Sequence, residues 1–209
     1  MRRVAVVVHA EAQHHVDRLV GGWYDSSLTE RGRKQARQVG TALRRVFPDS
    51  PVPIVSSDLK RARQTAEIIG EVLQSAAVLD PRLRELSYGT AEGRPKTWLA
   101  ERIVAIPTCG SRLDHRVCEE AESRRELATR VYAAVDEILA SEVKDVVIVT
   151  HGFAATFVIA RWIGLPIEKV DYVEFAVSPA SLSLLVEDDV FMNRSVKCLN
   201  DTRHLVERG

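Results

Sequence analysis

Val4-Ala5-Val6-Val7-Val8-His9 and Val146-Val147-Ile148-Val149-Thr150-His151 are two short apolar runs, rich in β-branched residues, and each ends by delivering a histidine. Continuous apolar runs of this length fit strands covered on both faces, as in the middle of a parallel sheet. Open α/β sheets bind ligands outside the carboxyl ends of their strands. The two runs therefore predict that His9 and His151 project from the same sheet edge. One histidine there would be an ordinary structural residue, whereas two at equivalent strand ends point to chemistry.

Outward from the first run, Thr29 is placed to cap a helix on which Ala36, Val39, Gly40, Leu43 and Val46 fall at helical spacing up to Phe47-Pro48. Val52 to Val55 reads as a second strand. Ser56-Ser57-Asp58 then offers capping oxygens to a helix carrying Ala62, Ala66, Ile69 and Val72. A further helix bears Leu127, Val131, Val135, Ile138 and Leu139, and another runs from Ala154 to Ile163. Ser181 to Val186 and Val190 to Val196, separated by Glu187-Asp188-Asp189, read as a hairpin. Such alternation predicts an α/β fold of three layers, α/β/α, around a mostly parallel central sheet. The turn-rich stretch Tyr88 to Pro95 leads into a poorly periodic segment, so a small irregular insertion at about 90–118 is the candidate lid.

The composition bounds the rest. A chain of 209 residues with 45% hydrophobic content can bury one core, and one domain over 1–209 is expected. Zero formal net charge with 28% charged residues argues against a polyanion binder, so neither nucleic acid nor a membrane surface is an expected partner. The opening apolar run is too short for a signal peptide or a membrane span, and a cytoplasmic location is the default. The three cysteines, Cys109, Cys118 and Cys198, read as free thiols, with a Cys109–Cys118 disulfide as the alternative. The histidines show no zinc-ligand spacing with nearby cysteines, so no metal and no cofactor are expected.

Two further residues complete a pocket. Arg61 lies in the first turn of the second helix, where its guanidinium can reach an anion held among helix N-termini. Arg63, two positions on, faces elsewhere. Glu85, in Leu83-Arg84-Glu85-Leu86, is placed where an acid can enter the site.

Taken in series, these stretches resemble the histidine phosphatase superfamily, also called phosphoglycerate mutase-like. The stretches are Val8-His9-Ala10-Glu11-Ala12, Gly22 to Gly32 with Gln35-Ala36, Ser56 to Ala66, Leu83 to Leu86 through Glu92-Gly93, Thr150-His151-Gly152, and Leu199 to Leu205. The resemblance implies catalysis by His9, Glu85 and His151. His9 would attack the phosphorus of a small phosphorylated metabolite to give a phosphohistidine, and Glu85 would protonate the leaving alcohol and then activate water. Arg61 and His151 would hold the phosphoryl oxygens, with His15, Ala10 and Gly152 also binding substrate. It leaves the oligomeric state open, a homodimer included.

One departure stands out. The family opens on Arg-His-Gly, where this chain has Val8-His9-Ala10. The absent arginine would donate charge-assisted hydrogen bonds, each contributing roughly 1.5 to 3 kcal/mol. His14 or His15 could supply donors in its place, and as imidazolium could restore charge. Arg94, Arg112 and Arg116 could fold over the pocket, whereas Arg2 and Arg3 lie at the wrong end of the strand. Three readings follow: a phosphatase of reduced or specialised activity, favoured over a mutase by the compact insertion; a non-catalytic protein that binds a ligand or partner; and an enzyme adapted to a less charged substrate.

Overall fold

The computed structural model describes residues 1–49 and 51–206. In chain order its elements begin with strand β1 (Arg2–Val8), the short helix α1 (Gln13–Val16), helix α2 (Glu30–Val46), strand β2 (Ile54–Ser56), helix α3 (Lys60–Leu73) and strand β3 (Ala77–Leu79). The short helix α4 (Lys96–Ala100) follows, then α5 (Arg124–Ala140), β4 (Asp145–Thr150), α6 (Gly152–Trp162), β5 (Leu182–Glu187) and β6 (Arg194–Asp201). The strands form one six-stranded sheet in the order β3-β2-β4-β1-β5-β6. The first four are mutually parallel, β5 pairs antiparallel with β1, and β6 pairs antiparallel with β5.

The period-two alternation of a strand divides β1 between two cores. Val4, Val6 and Val8 enter the cluster with Leu127, Val131, Phe157 and Ile159 of α5 and α6. Ala5 and Val7 enter the cluster with Ala36, Val39, Ala62 and Ile69 of α2 and α3. This is why the run is apolar at every position. The register of β1 against β4 pairs Val8 with Thr150, so His9 and His151 leave the sheet side by side.

Boundaries shift where a local group competes for the backbone. The strand expected from Val52 begins only at Ile54, because the Val52 N–H goes to Ser75 Oγ at 3.0 Å and Pro53 has no N–H to give. The second arm of the hairpin starts at Arg194 and not at Val190. Asp188 gathers the N–H groups of Val190, Phe191 and Asn193 at 2.6–2.9 Å and holds them out of the ladder. The insertion is irregular apart from α4. All three cysteines are free thiols. Among the described residues no helix is long and apolar enough to cross a membrane.

Candidate active site

His9 stands at the carboxyl end of β1, 4% exposed. Its Nδ1 lies 2.8 Å from the Ala10 carbonyl oxygen, which can only accept, so Nδ1 carries the proton. Nε2 therefore presents a lone pair, which accepts from Arg61 Nε at 3.1 Å. Burial, reinforced by the Arg61 charge, holds the His9 pKa well below the ordinary imidazole value. Ala10 is fully buried, and its N–H donates to Thr65 Oγ1 at 3.1 Å. Its backbone donor is thus committed to α3, and the contact Ala10 makes with the site is through its carbonyl on His9. Alanine fits because the backbone there does not take a positive φ.

Arg61 is 1% exposed in the first turn of α3. Besides His9 it donates to the carbonyls of Tyr24 at 2.9 Å and Gly22 at 2.7 Å, which leaves two of the five N–H groups of a guanidinium uncommitted. Burial lowers its pKa to about 10, and it remains a cation at neutral pH. Gly22 adopts φ +52°, and a Cβ there would crowd Glu92 and Tyr88, so glycine is what lets the loop turn its carbonyl onto Arg61. The same loop caps α3, since Asp25 Oδ1 accepts from Lys60 N–H at 2.6 Å. The capping role expected of Ser56 to Asp58 is thus filled from a distant loop, and Ser57 is free for another task.

That task is His151, which is fully buried beside His9 with ring centroids 5.0 Å apart. Ser57 Oγ accepts from Leu59 N–H at 3.3 Å and lies 2.8 Å from His151 Nε2. Among the described residues Nε2 is the acceptor within reach of the hydroxyl proton, so the hydroxyl donates to it. His151 then carries its own proton on Nδ1, a buried atom with no hydrogen-bond partner. Burial keeps this imidazole uncharged too. A neutral buried donor without an acceptor is costly, and this one belongs to the ring next to the cavity-lining His9.

Glu85 reaches the amino end of α6. Its Oε2 accepts from Phe153 N–H at 3.0 Å, and its Oε1 from Ala154 N–H at 3.0 Å and Leu86 N–H at 2.9 Å. These bonds favour the carboxylate, yet burial outweighs them and raises the pKa above the usual range. The Glu85 backbone is pinned from below. Arg130 of α5 donates to the carbonyls of Arg82, Arg84 and Glu85 at 2.6–2.8 Å while paired with Glu122, and Trp23 Nε1 donates to the Glu85 carbonyl at 2.7 Å.

His9, Arg61, Glu85, His15 and Gly152 line a common cavity of about 460 Å³, together with Val8 and Lys96. His15 is stacked on His9 at 5.4 Å, its Nδ1 accepting from Ala12 N–H at 3.2 Å. That bond fixes the proton on Nε2 and leaves no site for a second, and burial lowers the pKa further. His15 is therefore a neutral donor, not the imidazolium that could have restored charge. His14, with Nδ1 on Ser26 Oγ at 2.6 Å, is pushed by burial to about 3. None of the three candidate arginines replaces the missing one. Arg94 lies over Trp98, Arg112 over Tyr172, and Arg116 pairs with Glu126 at 2.6 Å. Besides Arg61, the cation that lines the cavity among the described residues is Lys96 of α4, which sequence reasoning missed because nothing in an irregular insertion tells which side chain turns inward. Ser57 was missed as well, having been read as a cap. Arg63 does not line the cavity and is half-buried, 3.6 Å from Glu67. Among the described residues no group of histidine, cysteine and acidic side chains is arranged to hold a metal ion.

The α/β sheet thus brings two buried imidazoles, a guanidinium and a buried carboxyl to one strand edge, a set fitted to hold an anion. Residues 4–202 match the family described as histidine phosphatase superfamily (branch 1), and the chain belongs to it. It is 36% identical over 168 residues to a protein of Erwinia tasmaniensis named "Probable phosphoglycerate mutase GpmB", a match covering 79% of this chain and 77% of that one. Among solved structures it is similar to mycobacterial glucosyl-3-phosphoglycerate phosphatase in complex with VO3, with a TM-score of 0.77 and 27% identity over 97% of this chain and 100% of that one. It is also similar to Bacillus stearothermophilus YhfR, with a TM-score of 0.78 and 25% identity over 98% and 99% of the two chains.

Proposed function

We propose that the chain is a phosphatase that hydrolyses a small phosphomonoester through a phosphohistidine on His9. The observation that carries this reading is the protonation pattern at the strand edge: an unprotonated His9 Nε2 beside an unpartnered His151 Nδ1–H. One is a nucleophile, and the other is a donor that needs an acceptor oxygen. In the first half-reaction Nε2 attacks phosphorus while Arg61 exchanges its bond to Nε2 for a phosphoryl oxygen. The ester P–O bond breaks, and the leaving alkoxide takes a proton from the Glu85 carboxyl, which the raised pKa keeps available. In the second, Glu85 accepts a proton from water as its oxygen attacks phosphorus and the P–N bond breaks. The His151 Nδ1–H, the His15 Nε2–H and Lys96 supplement Arg61 on the phosphoryl oxygens.

The test is turnover of p-nitrophenyl phosphate and of sugar and glycerate phosphates, with mass spectrometry of quenched enzyme for phosphate on the His9 peptide. His9→Ala is expected to lower turnover by about 10⁴-fold or more and to abolish the labelled peptide. A second reading, ligand binding without transfer, is favoured by Val8, which puts an isopropyl group in the cavity wall where the family has a guanidinium. Silence of the wild type together with turnover by Val8→Arg would establish that reading instead.

A further inference from the structure

The cavity that His9 faces has a charge distribution of its own. Among the described residues two cations line it, Arg61 and Lys96, and the one acidic group beside them is the buried Glu85 carboxyl. His9 and the three imidazoles around it fit uncharged forms: His9 and His151 protonated on Nδ1, His15 on Nε2, and His14 held uncharged by burial. A phosphomonoester carries between one and two negative charges near neutral pH. The phosphoryl group alone therefore matches the cationic complement of the site.

The remaining wall is largely apolar, with Tyr88 its uncharged polar side chain. Val8, Leu19, Val20, Leu99, Ile103 and Val177 line the same cavity. Val8 is 3% exposed and belongs to the hydrophobic cluster with Leu83 and Leu86, so no charged side chain can swing in from beneath it. A second anionic group on the substrate, such as the carboxylate of a phosphoglycerate, would lie against this wall without a counter-charge, and burying an unpaired carboxylate is costly. Methylene groups in the same place would gain from leaving water.

We infer that the substrate is the phosphomonoester of an uncharged, largely apolar alcohol, and that the site discriminates against phosphate esters bearing a second acidic group. This rests on the phosphatase reading above for turnover, but it concerns binding and can be read without it. The probe pair is n-hexyl phosphate and 3-phosphoglycerate, in which the esterified groups are both alkyl alcohols.

Dissociation constants measured by calorimetry on His9→Ala, which cannot form the phosphoenzyme, are expected to favour n-hexyl phosphate by about 100-fold. Wild-type kcat/KM should follow the same order. Ile103→Lys, at a half-exposed position that tolerates charge, is expected to bring the two ligands to within about tenfold by supplying the missing cation. Equal or tighter binding of 3-phosphoglycerate, or failure of both ligands to bind, overturns the inference. A binding preference for n-hexyl phosphate in a protein that turns over neither compound upholds it while refuting the phosphatase reading.

Discussion

Ser57 gives its hydroxyl proton to His151 because Nε2 is the acceptor within its reach, while its oxygen takes the Leu59 N–H. The tautomer of a fully buried imidazole is thereby set by a residue that does not line the cavity. Ser57→Ala removes that donor and frees His151 to place its proton on Nε2, turning the Nδ1 donor into a lone pair that repels a phosphoryl oxygen. We expect kcat/KM for a phosphomonoester to fall about 10- to 100-fold, the cost of one charge-assisted hydrogen bond. Ser57→Thr should recover most of the loss, and the recovery separates a tautomer effect from simple loosening of the loop. A parallel effect is expected at Thr65, which holds the Ala10 N–H. Thr65→Val leaves that buried donor unpaired, and we expect about 1 to 3 kcal/mol of lost stability in urea unfolding.

Helix α2 shows how one element serves two ends. Thr29 caps it by accepting from Gly32 N–H at 2.9 Å and donates its own N–H to the Glu11 carbonyl at 3.0 Å, tying the helix to the segment that carries His14 and His15. Gly32 lets the helix approach so closely that a Cβ would collide with the Glu11 carbonyl oxygen. Gly32→Ala is therefore expected to cost about 1 to 3 kcal/mol despite the better helix propensity of alanine, whereas Thr29→Ala should cost about 1 kcal/mol, both read from urea midpoints. Elements of this kind were legible in the sequence. Thr29 and the spacing of Ala36, Val39, Gly40 and Leu43 are local signals, and they gave α2 to within a residue. The apolar runs of β1 and β4 likewise predicted the histidine pair, because burial on both faces leaves an unbroken pattern. What was not legible depends on distant partners. The cap of α3 comes from Asp25, the start of β6 from Asp188, and the inward turn of Lys96 from the packing of the insertion.

At the scale of the whole molecule, the site makes folding sensitive to acid. His9, His14, His15 and His151 all have folded-state pKa values below the ordinary 6.5, chiefly through burial. As pH falls through 6.5 these imidazoles take up protons in the unfolded chain while staying neutral in the folded one, so the unfolded state gains and stability declines. For His14, held near 3, the loss between pH 6.5 and pH 5 is about 2 kcal/mol. Glu85, with its raised value, acts in the opposite sense as pH rises through the carboxylate range. We expect the urea midpoint to drop between pH 7 and pH 5, and His14→Gln to flatten that drop by the contribution of one group.

The anchoring of Glu85 carries a consequence for how such a protein can be changed. Its backbone is clamped by Arg130 and Glu122 to the core helix α5 and steadied by Trp23, none of which belongs to the segment between Thr90 and Cys118. Within that segment, Lys96, Leu99 and Ile103 wall the cavity, whereas Glu92 holds Ser87 and Tyr88, and Leu113, Asp114 and Arg116 are tied to α5. A foreign segment could be grafted between residues 96 and 103 to recast which alcohol is accepted, with those ties kept and the acid still delivered to the same point over His9.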